Sequence, residues 1–437
     1  MVVNNPIRRL GNAEYFYYQY NKIAPTNIAV VLELNKYINP SDLRNAINIV
    51  VNNYQSFCTT INSTNDTDLF FKRSDKLKYS VNNLSGNTNN LREIVEHKTN
   101  TALAPDNLPI DTTYFINTET NSYHIIFTIN HLHTDAIGGI LICKEILKFV
   151  YHNESDTLKT FQELHPNLEQ FFPRSAKGWT FINGLTKYFY HYWKYYRKWE
   201  KFKYYELNKY SFGHRKLTTK YIIIQNSDFN QLLNRSRKLD LTLNQILSAI
   251  QILAFRNEIQ IEGKIPLVLS IPINLRNKLT QKIESDVPGL FIAIPKLTIF
   301  ATQNDNLYSV ARKIKQDLRN QINMGQIFIN WKMLPRSRFN TKKNGLRNVE
   351  KMFLKNIPSS IITNVGNIEY SNYVDKYIKS IYFAVAPPKD ALLCSALSSY
   401  KKKLTINYCF NSSLMSIDQI ERIFKKINQQ IFQFIKG

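Results

Sequence analysis

The stretch that decides the reading is Asn130-His131-Leu132-His133-Thr134-Asp135-Ala136-Ile137-Gly138-Gly139. It follows residues 123–130, YHIIFTIN, whose apolar run predicts a strand, and it precedes residues 140–151, where helical periodicity returns. A strand thus delivers a histidine to its end. A carboxylate follows four residues later, and two glycines relax the chain before a helix. A neutral imidazole, with an ordinary pKa of about 6.5, accepts a proton near neutral pH. It needs a fixed tautomer and a tight bend, which Asp135, Gly138 and Gly139 are suited to supply. A hydroxyl that loses its proton to His131 attacks a carbonyl directly. Two other readings stay open on spacing alone. An HxH within a strand puts both rings on one face, where they hold a metal with Asp135 as third ligand. His131 and His133 can also be loop histidines satisfied by solvent or core.

Working outward, residues 13–21 read as a helix and 28–34 as a strand. Asn39-Pro40-Ser41-Asp42 is a helix start with Pro just inside the cap, and the helix it opens puts Leu43, Ala46, Ile47, Val50 and Val51 on one face. Residues 63–68 and 85–90 read as polar loops. In the second half, 219–225, 266–272, 289–300, 359–365, 378–385 and 403–410 read as strands. Thr242 opens an apolar helix over 243–255. Ser416 with Gln419 resembles a capping box before a terminal helix to Ile435. Strands and helices mix throughout, so the class is α/β or α+β. No repeat of ~20–50 residues is seen.

The chain has 437 residues, 43% of them hydrophobic, enough for two lobes: 1–175 with the histidine loop and 217–437 as the second. Between them, 176–216 is a linker of unusual composition. Residues 177–216 hold ten Lys/Arg and two Glu, and 188–205 hold eleven aromatics. At 100° per residue, Tyr188, Tyr192, Tyr195, Tyr196, Trp199 and Phe202 share one face and Lys194, Arg197, Lys198 and Lys201 the other. This predicts a basic amphipathic helix that contacts an anionic membrane surface, Trp199 included. The alternative is an aromatic face packed on the protein's own core. The net charge of +24 fits phosphate-rich partners: nucleic acid, anionic lipid or a phosphopantetheine donor. No recognised nucleic-acid module and no Walker A loop is present, so nucleic-acid binding and nucleotide hydrolysis are not expected. Four scattered cysteines without a CxxC predict buried free thiols in a reducing cytoplasm. No run of ~18 apolar residues predicts a membrane span, and no signal peptide is read at the start.

His131 and Asp135 resemble the HxxxDG motif of the thioester-dependent acyltransferase superfamily. That superfamily includes chloramphenicol acetyltransferase, BAHD and alcohol acyltransferases, polyketide-associated acyltransferases and peptide-synthetase condensation domains. Asn130 stands where condensation domains carry a first histidine, and Ala136 where the usual glycine sits. The resemblance extends to residues 32–59, to Ser270-Ile271-Pro272-Ile273-Asn274-Leu275-Arg276 with Gly289, to Ile361-Ile362-Thr363-Asn364-Val365-Gly366, and to 404–410 with 416–435. The BAHD DFGWG motif is absent.

The resemblance implies two chloramphenicol-acetyltransferase-like lobes, each a mixed sheet with flanking helices, meeting at a tunnel with His131 midway. It implies direct transfer through a tetrahedral oxyanion, with acyl-CoA or an acyl-carrier-protein phosphopantetheine thioester as co-substrate and no permanently bound cofactor or metal. The acceptor is then a hydroxyl, or an amine, and the membrane contact expected of the linker helix makes it a lipid-like molecule. Asp135 is expected to orient the loop by pairing with Arg276. Asn130, Gly138, Gly139, Thr363 and Asn364 are expected to line the tunnel. A monomer in the cytoplasm, peripheral at the membrane, completes the expectation. Amide formation of the condensation type, or a non-catalytic carrier- or acyl-binding role, is the alternative.

Overall fold

The computed structural model describes residues 6–63, 68–74, 79–103, 108–152, 161–179, 181–187, 189–190, 215–260, 262–284, 286–332, 360–370, 372–389 and 391–437. Strand Asn27–Leu34, NIAVVLEL, is apolar on both faces, as a strand covered on both sides must be. It sits inside a five-stranded sheet in the order Ile378–Val385, Asn27–Leu34, Ser122–Asn130, Ile110–Asn117, Val81–Gly86. The last pair is parallel and the others antiparallel. Helices Pro40–Asn52 and Ala136–His152 cover one face, burying Leu43, Ile47, Val50, Ile142 and Ile146. Helix Thr88–Asn100 covers the other with Leu91 and Val95.

The second sheet has six strands in the order Lys296–Ala301, Ile265–Ser270, Ser360–Asn367, Leu393–Tyr400, Lys403–Asn411, Leu217–Ile224. Its core is closed by helices Asn226–Lys238, Leu243–Glu258, Leu307–Asn323 and Ile417–Lys436. Helix starts follow local chemistry. The Asn39 side chain accepts from the Ser41 N–H with Pro40 in the first turn, and Thr242/Gln245 and Ser416/Gln419 form reciprocal capping boxes. Each box satisfies backbone N–H groups that the first helical turn leaves without partners.

Four expectations are corrected. Residues 85–90 are not a loop: strand Val81–Gly86 ends there and Asn87 caps helix Thr88–Asn100, with Asn87 and Asn90 forming a reciprocal capping box. Residues 289–300 do not form one strand. Ile292–Ala293 pairs with Ile273–Asn274, and Lys296–Ala301 pairs with Ile265–Ser270. Pro295, which has no N–H to give a ladder, lies between them. The loop expected over 131–139 ends at Thr134 or Asp135, because helix Ala136–His152 already contains Ala136, Gly138 and Gly139. Finally, the sheets do not divide at the linker. Strand Ile378–Val385, from the segment assigned to the second lobe, pairs with Asn27–Leu34 over seven registered residues and completes the first sheet. An exposed edge of Asn27–Leu34 would leave a row of backbone groups without partners, and the crossover supplies them.

A third apolar cluster joins the two halves: Tyr15, Tyr17 and Tyr20 of helix Asn12–Asn21, Leu132, Leu275, Phe291, Phe328 and Trp331. The histidine loop enters this cluster.

Candidate active site

Strand Ser122–Asn130 pairs with Asn27–Leu34 up to Asn27 opposite Asn130. There Asn130 turns the chain. Its side-chain oxygen accepts from the Leu132 N–H at 3.0 Å, and its carbonyl accepts from the His133 N–H. The His131 N–H donates to the Thr26 carbonyl. The backbone at His131 is therefore held from the strand side and the turn side at once.

The His131 ring is held as firmly. Nδ1 lies 3.0 Å from the Thr134 carbonyl oxygen. A carbonyl only accepts, so Nδ1 carries the proton and Nε2 of the neutral ring keeps its lone pair. The Tyr17 ring stacks on the imidazole at 4.7 Å between centroids, with 26° between planes. Burial holds the His131 pKa below its usual value, against smaller opposing effects of its own backbone, Asp135 and Thr134. The ring is thus neutral at pH 7, in one tautomer, with Nε2 as the basic atom.

Asp135 does not touch the ring. Its carboxylate accepts from Arg276 Nη1 at 2.7 Å and Nη2 at 3.1 Å, from the Gly138 N–H at 2.9 Å and from the Phe291 N–H at 3.1 Å. Arg276 Nη2 also donates to the Val287 carbonyl, and the guanidinium lies 4.8 Å over the Phe291 ring. Both side chains are 2% exposed. The Asp135 N–H donates to the Gly289 carbonyl. Asp135 therefore clasps the histidine loop to the 287–291 loop, while the tautomer expected of it is fixed by the Thr134 carbonyl. A buried, bidentate pair gives orientation along with attraction.

Gly138 explains itself by distance. A Cβ there would come within 2.9 Å of the Pro288 Cα and 3.2 Å of the Gly289 nitrogen. Within its own loop the same Cβ would come closer still to Thr134 Oγ1, so Gly138 is a point of close approach, and no positive φ is involved. At Gly139 the nearest neighbour of an added Cβ is the Ile129 Cδ1 at 3.1 Å, a flexible side-chain end. Ala136, where the motif has glycine, is helical and needs no positive φ, so its Cβ meets no backbone obstacle.

His133 points elsewhere. Its Nδ1 donates to the Ser56 carbonyl at 2.8 Å, its ring meets Phe71 edge-on, and burial pulls its pKa down to about 4. His131 and His133 lie past the strand end, in a turn, so the alternation that would have put both rings on one face does not apply. Asp135 is committed to Arg276. Among the described residues no three His, Cys, Asp or Glu side chains are grouped as a metal centre requires.

Of the second-lobe candidates, Asn364 donates to Asn244 Oδ1 at 2.8 Å and accepts from the Gly366 N–H at 2.7 Å. It faces helix Leu243–Glu258. Thr363, its neighbour on strand Ser360–Asn367, points to the opposite face by strand alternation and is half-buried. The structure thus brings together Asn130, His131, Asp135, Gly138 and Arg276, and separates the two strand-end residues by face. Lys194, Arg197, Lys198, Trp199 and Lys201 lie outside the described residues. Cys58, Cys143, Cys394 and Cys409 are buried free thiols. Sequence reasoning did not single out Tyr17, Thr134, Phe291 or Trp331. Tyr17 sits among five aromatics of NAEYFYYQYN and its neighbours, and nothing local says which ring meets a histidine more than a hundred residues away.

Two sheet-rich lobes of mixed strands with flanking helices, sharing a strand, make up the chloramphenicol-acetyltransferase-like fold. This chain has that fold. Residues 215–376 match the family profile described as phthiocerol/phthiodiolone dimycocerosyl transferase C-terminus. Among solved structures the chain is similar to polyketide synthase associated protein 5 from Mycobacterium tuberculosis, at 14% identity, 98% coverage of both chains and a TM-score of 0.63. It is similar to trichothecene 15-O-acetyltransferase from Fusarium sporotrichioides at 14% identity, covering 98% of this chain and 94% of that one, with a TM-score of 0.69. The first condensation domain of the calcium-dependent antibiotic synthetase gives a TM-score of 0.70 at 9% identity, with 99% and 97% covered. No curated protein sequence matches the chain.

Proposed function

We propose that this chain is an acyltransferase that moves an acyl group from a thioester, acyl-CoA or an acyl carrier protein, to a hydroxyl of a lipid-like acceptor. The observation that carries the reading is the His131 ring. Its Nδ1 proton is committed to the Thr134 carbonyl at 3.0 Å, and burial keeps the ring neutral. Nε2 is then the acceptor of a proton, which is what a general base for an alcohol needs. His131 Nε2 takes the acceptor proton as its oxygen attacks the thioester carbonyl. The tetrahedral oxyanion collapses, and the thiolate leaves with the proton that His131 returns. No acyl-enzyme forms. Asp135 and Arg276 hold the loop that carries the base; they do not carry the proton. Thr363, on the strand face turned away from helix Leu243–Glu258, is the proposed second-lobe side of the acceptor path, which runs between the lobes, while Asn364 is held to that helix.

The test is incubation of the protein with acyl-CoA, or with acylated carrier protein, and a lipid extract, followed by mass spectrometry of the products. An acylated alcohol that depends on the wild-type protein and vanishes with His131→Ala supports the reading. Products formed only from amines would move the assignment to amide formation, and no product from either donor would oppose acyl transfer.

A further inference from the structure

Residues 178–179, 181–187 and 189–190 are helical and lead into the basic aromatic stretch of the linker. This helix is fixed to the second half by one face. Lys332 Nζ lies 3.9 Å over the Phe181 ring and donates to the Ala176 carbonyl, and Gln326 Nε2 donates to the Gly184 carbonyl at 3.2 Å. Gly184 is there because a Cβ would come within 2.6 Å of the Met324 carbonyl oxygen. The opposite face turns outward. Trp179 is 85% exposed and Ile182 46%, the former more than any other large apolar side chain described. Phe189 and Tyr190 continue the same face at helical spacing, with 45% and 58% exposed. Exposed Lys177 and Lys187 flank it.

An exposed tryptophan beside isoleucine and lysines is costly against water alone but suits a headgroup layer, where an indole has one apolar and one polar neighbour. We propose that this helical face docks on an anionic lipid bilayer, with Trp179 and Ile182 entering the headgroup region and Lys177 and Lys187 meeting lipid phosphates. Charge selects this occupant over a second copy of the chain. The sequence carries +24 overall, and residues 177–216 hold ten Lys/Arg against two Glu, so two copies would repel at this face. Among the described residues no helix is long and apolar enough to cross a membrane. The position of the docking face has a consequence that rests on the proposed acyl transfer. The helix sits on the 324–332 segment, whose Trp331 ring is 6.2 Å from Tyr17, the ring stacked on His131. A lipid alcohol drawn from the bilayer would thus reach the base along the segment that holds the docking helix.

The experiment is vesicle co-sedimentation of the full chain with phosphatidylcholine alone and with phosphatidylcholine containing phosphatidylserine. Wild type is expected to bind the anionic vesicles, less as salt rises. W179S/I182S is expected to bind about tenfold more weakly, and K177E/K187E to lose the preference for phosphatidylserine. H131A should bind as wild type, which separates docking from chemistry, and the docking variants should keep transfer to a short water-soluble alcohol. Equal binding by wild type and W179S/I182S, no binding by wild type, or a lipid-free dimer dispersed by W179S/I182S would each overturn the proposal.

Discussion

The Asp135 carboxylate and the Arg276 guanidinium meet across 141 residues of chain through two bonds of 2.7 and 3.1 Å, with both groups removed from water. Leaving either charge buried alone costs about 3–5 kcal/mol. Asp135→Ala and Arg276→Ala should each lose that much stability, read by urea denaturation, and the double variant should lose less than the sum. Additive losses would mean that the pair does not act as a unit.

His131→Ala should lower kcat by about 100- to 10,000-fold, the span that positioned general bases contribute, with the far-UV spectrum unchanged. His133→Ala should leave most of the rate, because its ring bonds to Ser56 on the other side of the loop. Similar losses from both, restored by added zinc, would return the metal reading.

The pH dependence has a defined sign. A His131 pKa held below the usual ~6.5 places the acid limb of kcat/KM at lower pH than a free imidazole would, with the rate lost as acid protonates Nε2. His133 acts on stability. Its folded pKa of about 4 lies below the unfolded ~6.5, so its stabilising contribution is complete above ~6.5 and is lost as pH falls toward 4. Melting temperatures across this window should drop less for His133→Gln than for wild type.

Gly138→Ala should destabilise by about 1–3 kcal/mol or spread the two loops, because the new methyl meets the Pro288 backbone at 2.9 Å. Gly139→Ala, facing the flexible end of Ile129 at 3.1 Å and Thr134 Cγ2 at an ordinary 4.0 Å, should be nearly neutral. Thermal melts of the two variants side by side decide whether close approach is the reason for the first glycine.

Tyr17→Phe keeps the ring that stacks on His131 and should keep kcat. Tyr17→Ala removes it, and water entering the space should raise the His131 pKa toward its ordinary value. The check is the acid limb of the kcat/KM profile, which should move up in pH for Tyr17→Ala alone.

What the sequence by itself determined was local in origin. Helix starts at Pro40, Leu243 and Ile417 follow from caps within three residues, and strands such as Ile378–Val385 follow from their apolar runs. The histidine and its carboxylate were legible for the same reason: five consecutive positions carry them. Only the tertiary structure decided what these groups face. The Ile378–Val385 strand is visible in the sequence, but its partner, Asn27–Leu34, lies more than 340 residues earlier, and pairing is set by which edge lacks a partner. The tautomer of His131 comes from a backbone carbonyl, which every residue owns and no side-chain pattern announces. Tyr17 and the Gly138–Pro288 approach are likewise relations between distant segments, fixed when two packed lobes settle at one distance, and a chain read in order has no term for that distance.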